Sequence, residues 1–292
     1  MKSTFKNYIF VFLAGSLWGT IGLFVKLMSQ FGSTSTYTSF IRLLFGFLLL
    51  VVFTLITSGP KGFLVSGRTL LSCLLLGVVC QGIYNICYSM SVTENGMSMA
   101  SVLLYTSPVF TSITARIFFK EKLTKKKWMA LILNILGCIL TATGGNFSGT
   151  KIALTGILVG IGAGFTYAMS AIFGRIATDD KASPFAIAAY NFLFGSIFVG
   201  ITLRPWNSLA HPLDLRILLV GILFALIPTA IGYVLYFHGL SKITQTSKVP
   251  VVCSIELVIA TVIGLVIFHE AFGKMNLIGI LCVLFSIAIF QD

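Results

Sequence analysis

The chain has 292 residues, of which 57% are hydrophobic and only 10% charged, well under half the ~25% usual in soluble domains. That leaves too little polar material to coat a water-soluble globule, which excludes a soluble enzyme, a disordered chain and a nucleic-acid-binding domain. The formal net charge of +12 therefore has to be read from where the cations lie, before any polyanion partner is invoked.

A bilayer core about 30 Å thick takes roughly 20 apolar helical residues, and runs of that kind recur along the chain. In order they predict spans at 8–28, 35–57, 69–92, 97–119, 127–145, 152–174, 184–203, 215–239, 246–268 and 274–291. The first follows Lys2 and Lys6 and continues through Trp18 to Leu27. It is longer than a signal-peptide core and has no small-residue cleavage site, so it reads as a retained span. Ser58-Gly59-Pro60-Lys61-Gly62 and Gly144-Gly145-Asn146 are turn clusters, and Ser183-Pro184 reads as an N-cap with a proline in the first turn. No segment alternates with period two, which excludes a transmembrane barrel. The fold class predicted is all-α integral membrane, with ten transmembrane helices.

Lys and Arg set the orientation. With the N-terminus in the cytoplasm, the inside holds Lys2, Lys6, Lys61, Arg68, Lys120, Lys122, Lys125, Lys126, Lys127, Arg175, Lys181, Lys242 and Lys248. The outside holds Lys26, Lys151, Arg204, Arg216 and Lys274, while Arg42 and Arg116 fall within spans. Thirteen against five predicts a multi-pass protein of the cell (plasma) membrane with both termini cytoplasmic. The basic balance is then a topology signal; no nucleic acid is expected, and the lipid bilayer is the first partner. The Lys120–Lys127 run also suits anionic inner-leaflet lipid. Cys73, Cys80 and Cys87 share a face of the third span, and Cys138, Cys253 and Cys282 lie in others. Without Cys-x-x-Cys or Cys/His spacing they read as small packing residues, and neither metal nor cofactor is expected.

The chain aligns on itself at an offset of 149 residues without a gap. Gly15 meets Gly164, Trp18 meets Tyr167, Lys26 meets Arg175, and Phe45-Gly46 meets Phe194-Gly195. Tyr84 meets Tyr233, Ser98 meets Ser247, Phe119 meets Phe268 and Glu121 meets Glu270. The matches divide the chain into five-helix halves, 1–145 and 150–292. Five is odd, so the second half enters the membrane from the opposite side. Inverted repeats of this kind characterise secondary transporters, with the solute held near mid-membrane between the repeats. The alternative is an old duplication that now serves only as a scaffold.

Several stretches carry a resemblance to a known family. They are Leu104-Tyr105-Thr106-Ser107-Pro108-Val109 with Phe119-Lys120-Glu121-Lys122-Leu123, then Tyr236 to Leu240, Phe268-His269-Glu270 and Gly279. With Gly15, Trp18 and Gly19 of the first span, they resemble the drug/metabolite transporter superfamily, specifically its EamA-type members. The likeness covers the whole chain with loose motifs. It departs where Pro108 is matched by Leu257, beside Glu256. The resemblance implies helix bundles that rock between two open states without ATP. It also implies solutes drawn from amino acids, amines, sugars and other small metabolites, often exported.

Residues inside the spans suggest where such a solute sits. Glu256 lies near the middle of the ninth span and Arg42 about two turns into the second. A buried ionisable group is costly and normally faces a cavity or a partner. Glu256 admits three readings: a site for a substrate ammonium, a proton carrier for coupling, or a structural ion pair with Arg42. Arg116 lies close enough to its helix end to snorkel, and His238 is also near an end. Gln81, Asn85 and Tyr88 give the third helix a polar face, and Thr229, Tyr233 and Tyr236 do the same on the eighth. Trp18, Tyr84, Tyr105, Tyr167 and Tyr190 add rings that hold an apolar side chain or a cation. Gly15 and Gly19, with Gly156, Gly160, Gly164 and Ala168, read as tight packing or as a sliding surface. Pro108, Pro228 and Pro250 are expected to interrupt their helices. Glu121 and Glu270 open the fifth and tenth helices, where the macrodipole favours a carboxylate, and read as structural.

The substrate-binding set is therefore Trp18, Arg42, Gln81, Tyr84, Asn85, Tyr88, Tyr105, Tyr167, Tyr233, Tyr236 and Glu256, with Glu256 also the coupling residue. The solute expected is an amino acid or related compound, moved by alternating access with proton coupling and, by the resemblance, export. The alternatives are a cationic amine such as choline or a polyamine, and a scaffold or sensor that moves nothing. No nucleophile–base or metal constellation supports an enzyme.

Overall fold

The computed structural model describes residues 2–146, 153–180, 182–208, 214–270 and 272–291, with no side chain described before Tyr8. Lys151 and Lys181 thus lie outside the described residues, as do the side chains of Lys2 and Lys6. Among the described residues, nine helices are long and apolar enough to cross a membrane: α1 (Tyr8–Gln30), α2 (Ser35–Ser58), α3 (Gly67–Asn95), α4 (Met99–Phe119), α5 (Lys125–Thr143), α6 (Leu154–Asp179), α7 (Pro184–Leu203), α8 (Leu215–Leu240) and α9 (Thr246–Phe268). A shorter apolar helix, α10 (Lys274–Ile289), completes the described set. Their outer faces carry unpartnered apolar side chains such as Ile56, Ile117, Leu158, Ile201, Val266 and Phe285, as lipid-facing helices must.

Local sequence sets the ends. Thr34, Ser66 and Thr124 cap α2, α3 and α5 by accepting from Tyr37, Thr69 and Lys127 N–H groups. Gly59 and Gly144, both at positive φ, stop α2 and α5. Helix α5 therefore runs two residues earlier than the predicted 127–145.

The helix interiors are less regular than the hydropathy implies, and the irregularities come in pairs. Helix α3 is α-helical to Leu75, π-helical over Leu76–Ile83 and α-helical again from Tyr84. Helix α8 does the same, with its π segment at Ala225–Ile231. In α8 the cause is Pro228, which lacks the N–H that the Phe224 carbonyl would receive. The Thr229 hydroxyl takes that carbonyl at 3.0 Å instead. Thr229 is thus a backbone repair, which corrects its expected place on a solute-facing stripe. The matching segment of α3 has Val79 where α8 has Pro228, so its π turn has no proline behind it.

Helices α4 and α9 are broken at mid-membrane. The first half of α4 ends at Leu104 and the second starts at Ser107; α9 ends one segment at Cys253 and restarts at Ile255. Tyr105 and Ser254 stand at these breaks, 149 residues apart. The breaks explain a glycine at each of two crossings. A Cβ on Gly15 of α1 would lie 2.9 Å from the Cys253 carbonyl oxygen, and one on Gly164 of α6 would lie 2.9 Å from that of Leu103. The first helix of each half is therefore seated on the broken helix of the other half, and these glycines serve close packing. Helices α5 and α10 pack together along their lengths, Gly137 meeting the Gly279 backbone. The inverted-repeat architecture holds throughout.

Candidate functional site

The polar groups of the spans meet around the two breaks. On α3, Gln81 is the hub: its Oε1 accepts from Arg42 Nη2 at 3.1 Å and its Nε2 donates to the Tyr233 hydroxyl at 2.8 Å. One turn on, Asn85 Nδ2 donates to the Gln81 carbonyl at 2.5 Å, and its Oδ1 accepts from Ser39 at 3.2 Å. Another turn brings Tyr88, hydrogen-bonded to Ser101 at 3.2 Å and stacked on Tyr84 at 5.8 Å. The three residues thus do share one polar face. It is turned toward α2, α4 and α8.

A second cluster lies across from it. Tyr167 directs its hydroxyl at Glu256, 3.4 Å from each carboxylate oxygen, and its ring lies 5.7 Å from that of Tyr84. Tyr84 thus stands between the two clusters, its ring 5.8 Å from that of Tyr88 and 5.7 Å from that of Tyr167. Trp18 closes one side, its ring 4.9 Å from Tyr233 and 5.0 Å from Tyr236. Trp18 Nε1 is buried without a hydrogen-bond partner. Trp18, Tyr167, Ser170, Tyr236 and Cys253 enclose a chamber of about 10 Å³, roughly the room one water needs.

Arg42 and Glu256 do not pair. The ion pairs among the described residues are Lys26–Glu270, Lys127–Glu121, Arg175–Asp179 and Arg216–Asp214, which sets aside the third reading of Glu256. Arg42, Tyr84, Tyr167, Tyr233 and Glu256 all keep accessible surface at mid-span. Such groups face lipid or an interior cavity; hydrogen bonds turn Arg42, Tyr167, Tyr233 and Glu256 inward, and ring contacts with Tyr88 and Tyr167 do so for Tyr84. The site has two poles, Arg42 with Gln81 and Glu256 with Tyr167, bridged by aromatic rings.

Other expected candidates lie elsewhere. Tyr190 donates to the Phe63 carbonyl at 3.0 Å and packs on Phe63 and Phe194, a loop anchor away from these rings. Arg116 is exposed near the end of α4, as snorkelling requires, and His238 sits against Phe10 and Lys242. Lys127, counted with the lipid-facing run, turns inward to Ser247 at 3.0 Å. Glu121 pairs with Lys127 of α5 at 3.8 Å but does not cap that helix. It accepts from the Thr246 and Ser247 N–H groups at the start of α9, 2.5 and 3.1 Å away.

Sequence reasoning missed Ser39, Ser101 and Ser170, small hydroxyls with no pattern to mark them. It also missed Asn134, which donates to Ser254 at 2.7 Å and Ser286 at 3.0 Å and so pins the α9 break just before Glu256. Asn191 is fully buried with neither amide atom partnered. The repeat could have found it, since it is the mate of Arg42.

A broken helix in each half, crossing at mid-membrane beside buried charge, is the architecture of a carrier. The sequence profile of the EamA-like transporter family matches residues 5–143 and again 154–290. The chain belongs to the EamA-like transporter family. It is similar to an uncharacterized transporter of Archaeoglobus fulgidus, at 28% identity over 92% of this chain and 90% of that one. The uncharacterized transporter YdfC of Bacillus subtilis is 26% identical, covering 85% and 86%. The uncharacterized inner membrane transporter YicL of Salmonella typhimurium is 24% identical, covering 98% and 95%. A solved crystal structure shares the fold, with a TM-score of 0.82 over 97% of this chain and 96% of that one at 13% identity. As an EamA-like protein the chain is a multi-pass membrane transporter, whose partners are the bilayer and a small solute.

Proposed function

We propose that this EamA-like transporter carries a small zwitterion, an amino acid or a close relative, by proton-coupled alternating access and in the direction of export. The observation behind this reading is that Arg42 is held by Gln81 and Glu256 by Tyr167, with no ion pair between the two. Opposite charges left apart at mid-membrane suit a ligand that supplies both counter-charges. The carboxylate goes to the Arg42 guanidinium, which Gln81 holds in place. The ammonium goes to Glu256, over the faces of Tyr84 and Tyr167. Trp18, Tyr105, Tyr233 and Tyr236 take the apolar side chain, and Asn85 and Tyr88 line the polar side. Glu256 is also the proton carrier in this reading, because proton and solute ammonium compete for the same intramembrane carboxylate.

Uptake into inside-out proteoliposomes tests the reading with amino acids, choline and a polyamine offered separately. Amino acids should accumulate under a proton gradient, with loss in Glu256→Gln. Transport of choline or polyamine alone would move the assignment to a cationic amine and remove Arg42 from the site. Full transport of every solute by Glu256→Gln would sink both assignments.

A further inference from the structure

Helices α4 and α9 end in the same turn. Lys120 and His269, 149 residues apart, are both left-handed, with φ of 54° and 51°. The next N–H returns six residues: Glu121 to the Ala115 carbonyl at 3.4 Å and Glu270 to that of Gly264 at 3.1 Å. The backbones match, but the side chains do not. Glu121 is 8% exposed and reaches across to the start of α9, accepting from Thr246 N, Ser247 N and the Ser247 hydroxyl. Lys127 donates to the same hydroxyl at 3.0 Å. Glu270, 59% exposed, bonds Lys26 at 3.2 Å. It lies back over its own helix, where a Cβ on Gly264 would be 2.5 Å from its Oε2. The equivalent position beside Glu121 is Ala115, whose methyl fills that resting place.

The surroundings differ in the same sense. On the face that bears Lys120 and Lys122, the second half of α4 packs on the first turn of α9, and Thr111 and Ser112 are buried. The reciprocal packing of α9 on the first turn of α4 has no comparable counterpart. The mates Ala260 and Thr261 instead line, with Glu270, a cavity of about 560 Å³ whose other walls are the end of α5 and the start of α10. One end of the α4–α9 pair is packed and the other is not. Between them the second half of α4 touches Val249–Cys253 of α9 near the two breaks, which supplies a pivot.

We propose that Glu121 and Glu270 are alternating latches at opposite ends of this pair. Glu121 closes the lysine-rich face by capping α9. When it lets go, α4 tilts on the pivot, and Glu270 leaves Lys26 to cap α4 through the N–H groups of Met97 and Ser98, the mates of Thr246 and Ser247. A carboxylate at a helix N-terminus gains charge-assisted bonds and a favourable dipole, so each latch stabilises the end it closes. The inference rests on the transporter reading for its purpose, but its test needs no solute.

Hydrogen–deuterium exchange on the full chain in lipid nanodiscs reads the latches directly. In Glu121→Gln, loss of the charged acceptor should speed exchange at Thr246–Ser247 by roughly tenfold and slow it at Met97–Ser98. Gly264→Ala evicts Glu270 from its resting place and should slow Met97–Ser98 while speeding Thr246–Ser247. Faster exchange at Thr246–Ser247 in Glu121→Gln, with Met97–Ser98 unchanged in both variants, would overturn the proposal and leave a local cap. If α5 and α10 also exchange rapidly in Glu121→Gln, that variant has not folded, and Gly264→Ala decides. Latches that exchange in a chain moving no amino acid would refute the proposed solute alone.

Discussion

Tyr167 holds Glu256 by a phenol 3.4 Å from each carboxylate oxygen, and both residues are half-buried at mid-span. The long, shared bond leaves the carboxylate able to accept a better donor. Tyr167→Phe should therefore weaken solute affinity by about tenfold at most, the lower end of the ~1.5–3 kcal/mol typical of bonds to charged groups. Glu256→Gln should abolish proton-driven accumulation. Concentration dependence of proteoliposome uptake, with and without a pH gradient, separates the two.

Gln81 ties Arg42 to Tyr233, so Gln81→Leu should release both. Affinity for amino acids should fall about tenfold, the effect of one charge-assisted bond, while that for amines lacking a carboxylate should not change. Competition binding with matched pairs, an amino acid and its decarboxylated amine, measures the difference. Equal loss for both members would remove the carboxylate from the Arg42 pole.

Gly164 meets the α4 break so closely that a Cβ would stand 2.6 Å from the Thr106 hydroxyl and 2.9 Å from the Leu103 carbonyl. Gly164→Val should cost about 1–3 kcal/mol through overpacking. A lowered midpoint of thermal unfolding in detergent reports it. A neutral result would mean that the breaks yield easily.

Asn191 is a different case, because its buried amide lacks partners. Asn191→Leu should raise the unfolding midpoint, since removing an unsatisfied buried polar group relieves about 1–3 kcal/mol. Uptake measured on the same protein shows whether that stability comes at the expense of transport.

Asp180 lies beyond the end of α6 and accepts from Ser66 at 2.5 Å and Thr69 at 3.2 Å, tying α6 to the start of α3. The Ser66 bond chiefly, then Thr69 and Arg68, hold its carboxyl below the usual 3.8. A depressed carboxylate stabilises the fold above its unfolded pKa, and the contribution fades as pH falls through the lowered value. Asp180→Asn should thus lower the unfolding midpoint at pH 7, with the gap narrowing below about pH 4. A pH-independent gap would point to lost packing.

The spans were legible in the sequence because apolar length alone dictates them, and the repeat was legible because enough mates survive, Trp18 with Tyr167 among them. The interior of the helices was not. Hydropathy cannot tell an α turn from a π turn, so the segment at Leu76–Ile83 left no mark, and Pro250 pointed to a break in α9 that falls four residues later at Ser254. Intramembrane rarity singled out Arg42 and Glu256, but their partners depend on which helices cross. That explains why Gln81 reads as a polar-face residue and stands as a hub. It also explains how Thr229 and Tyr190, chosen for chemistry, proved to serve the backbone.

Helix α1 is interrupted between Trp18 and Ile21, whereas α6 runs without a break past the mates of those residues. Two identical halves would give an empty carrier no preference between its two orientations. These halves bend differently, so the orientations differ in energy, and a gap of about 1.4 kcal/mol already fixes a ten-to-one resting population. The divergence of the two first helices thereby gives the empty molecule a side on which to wait.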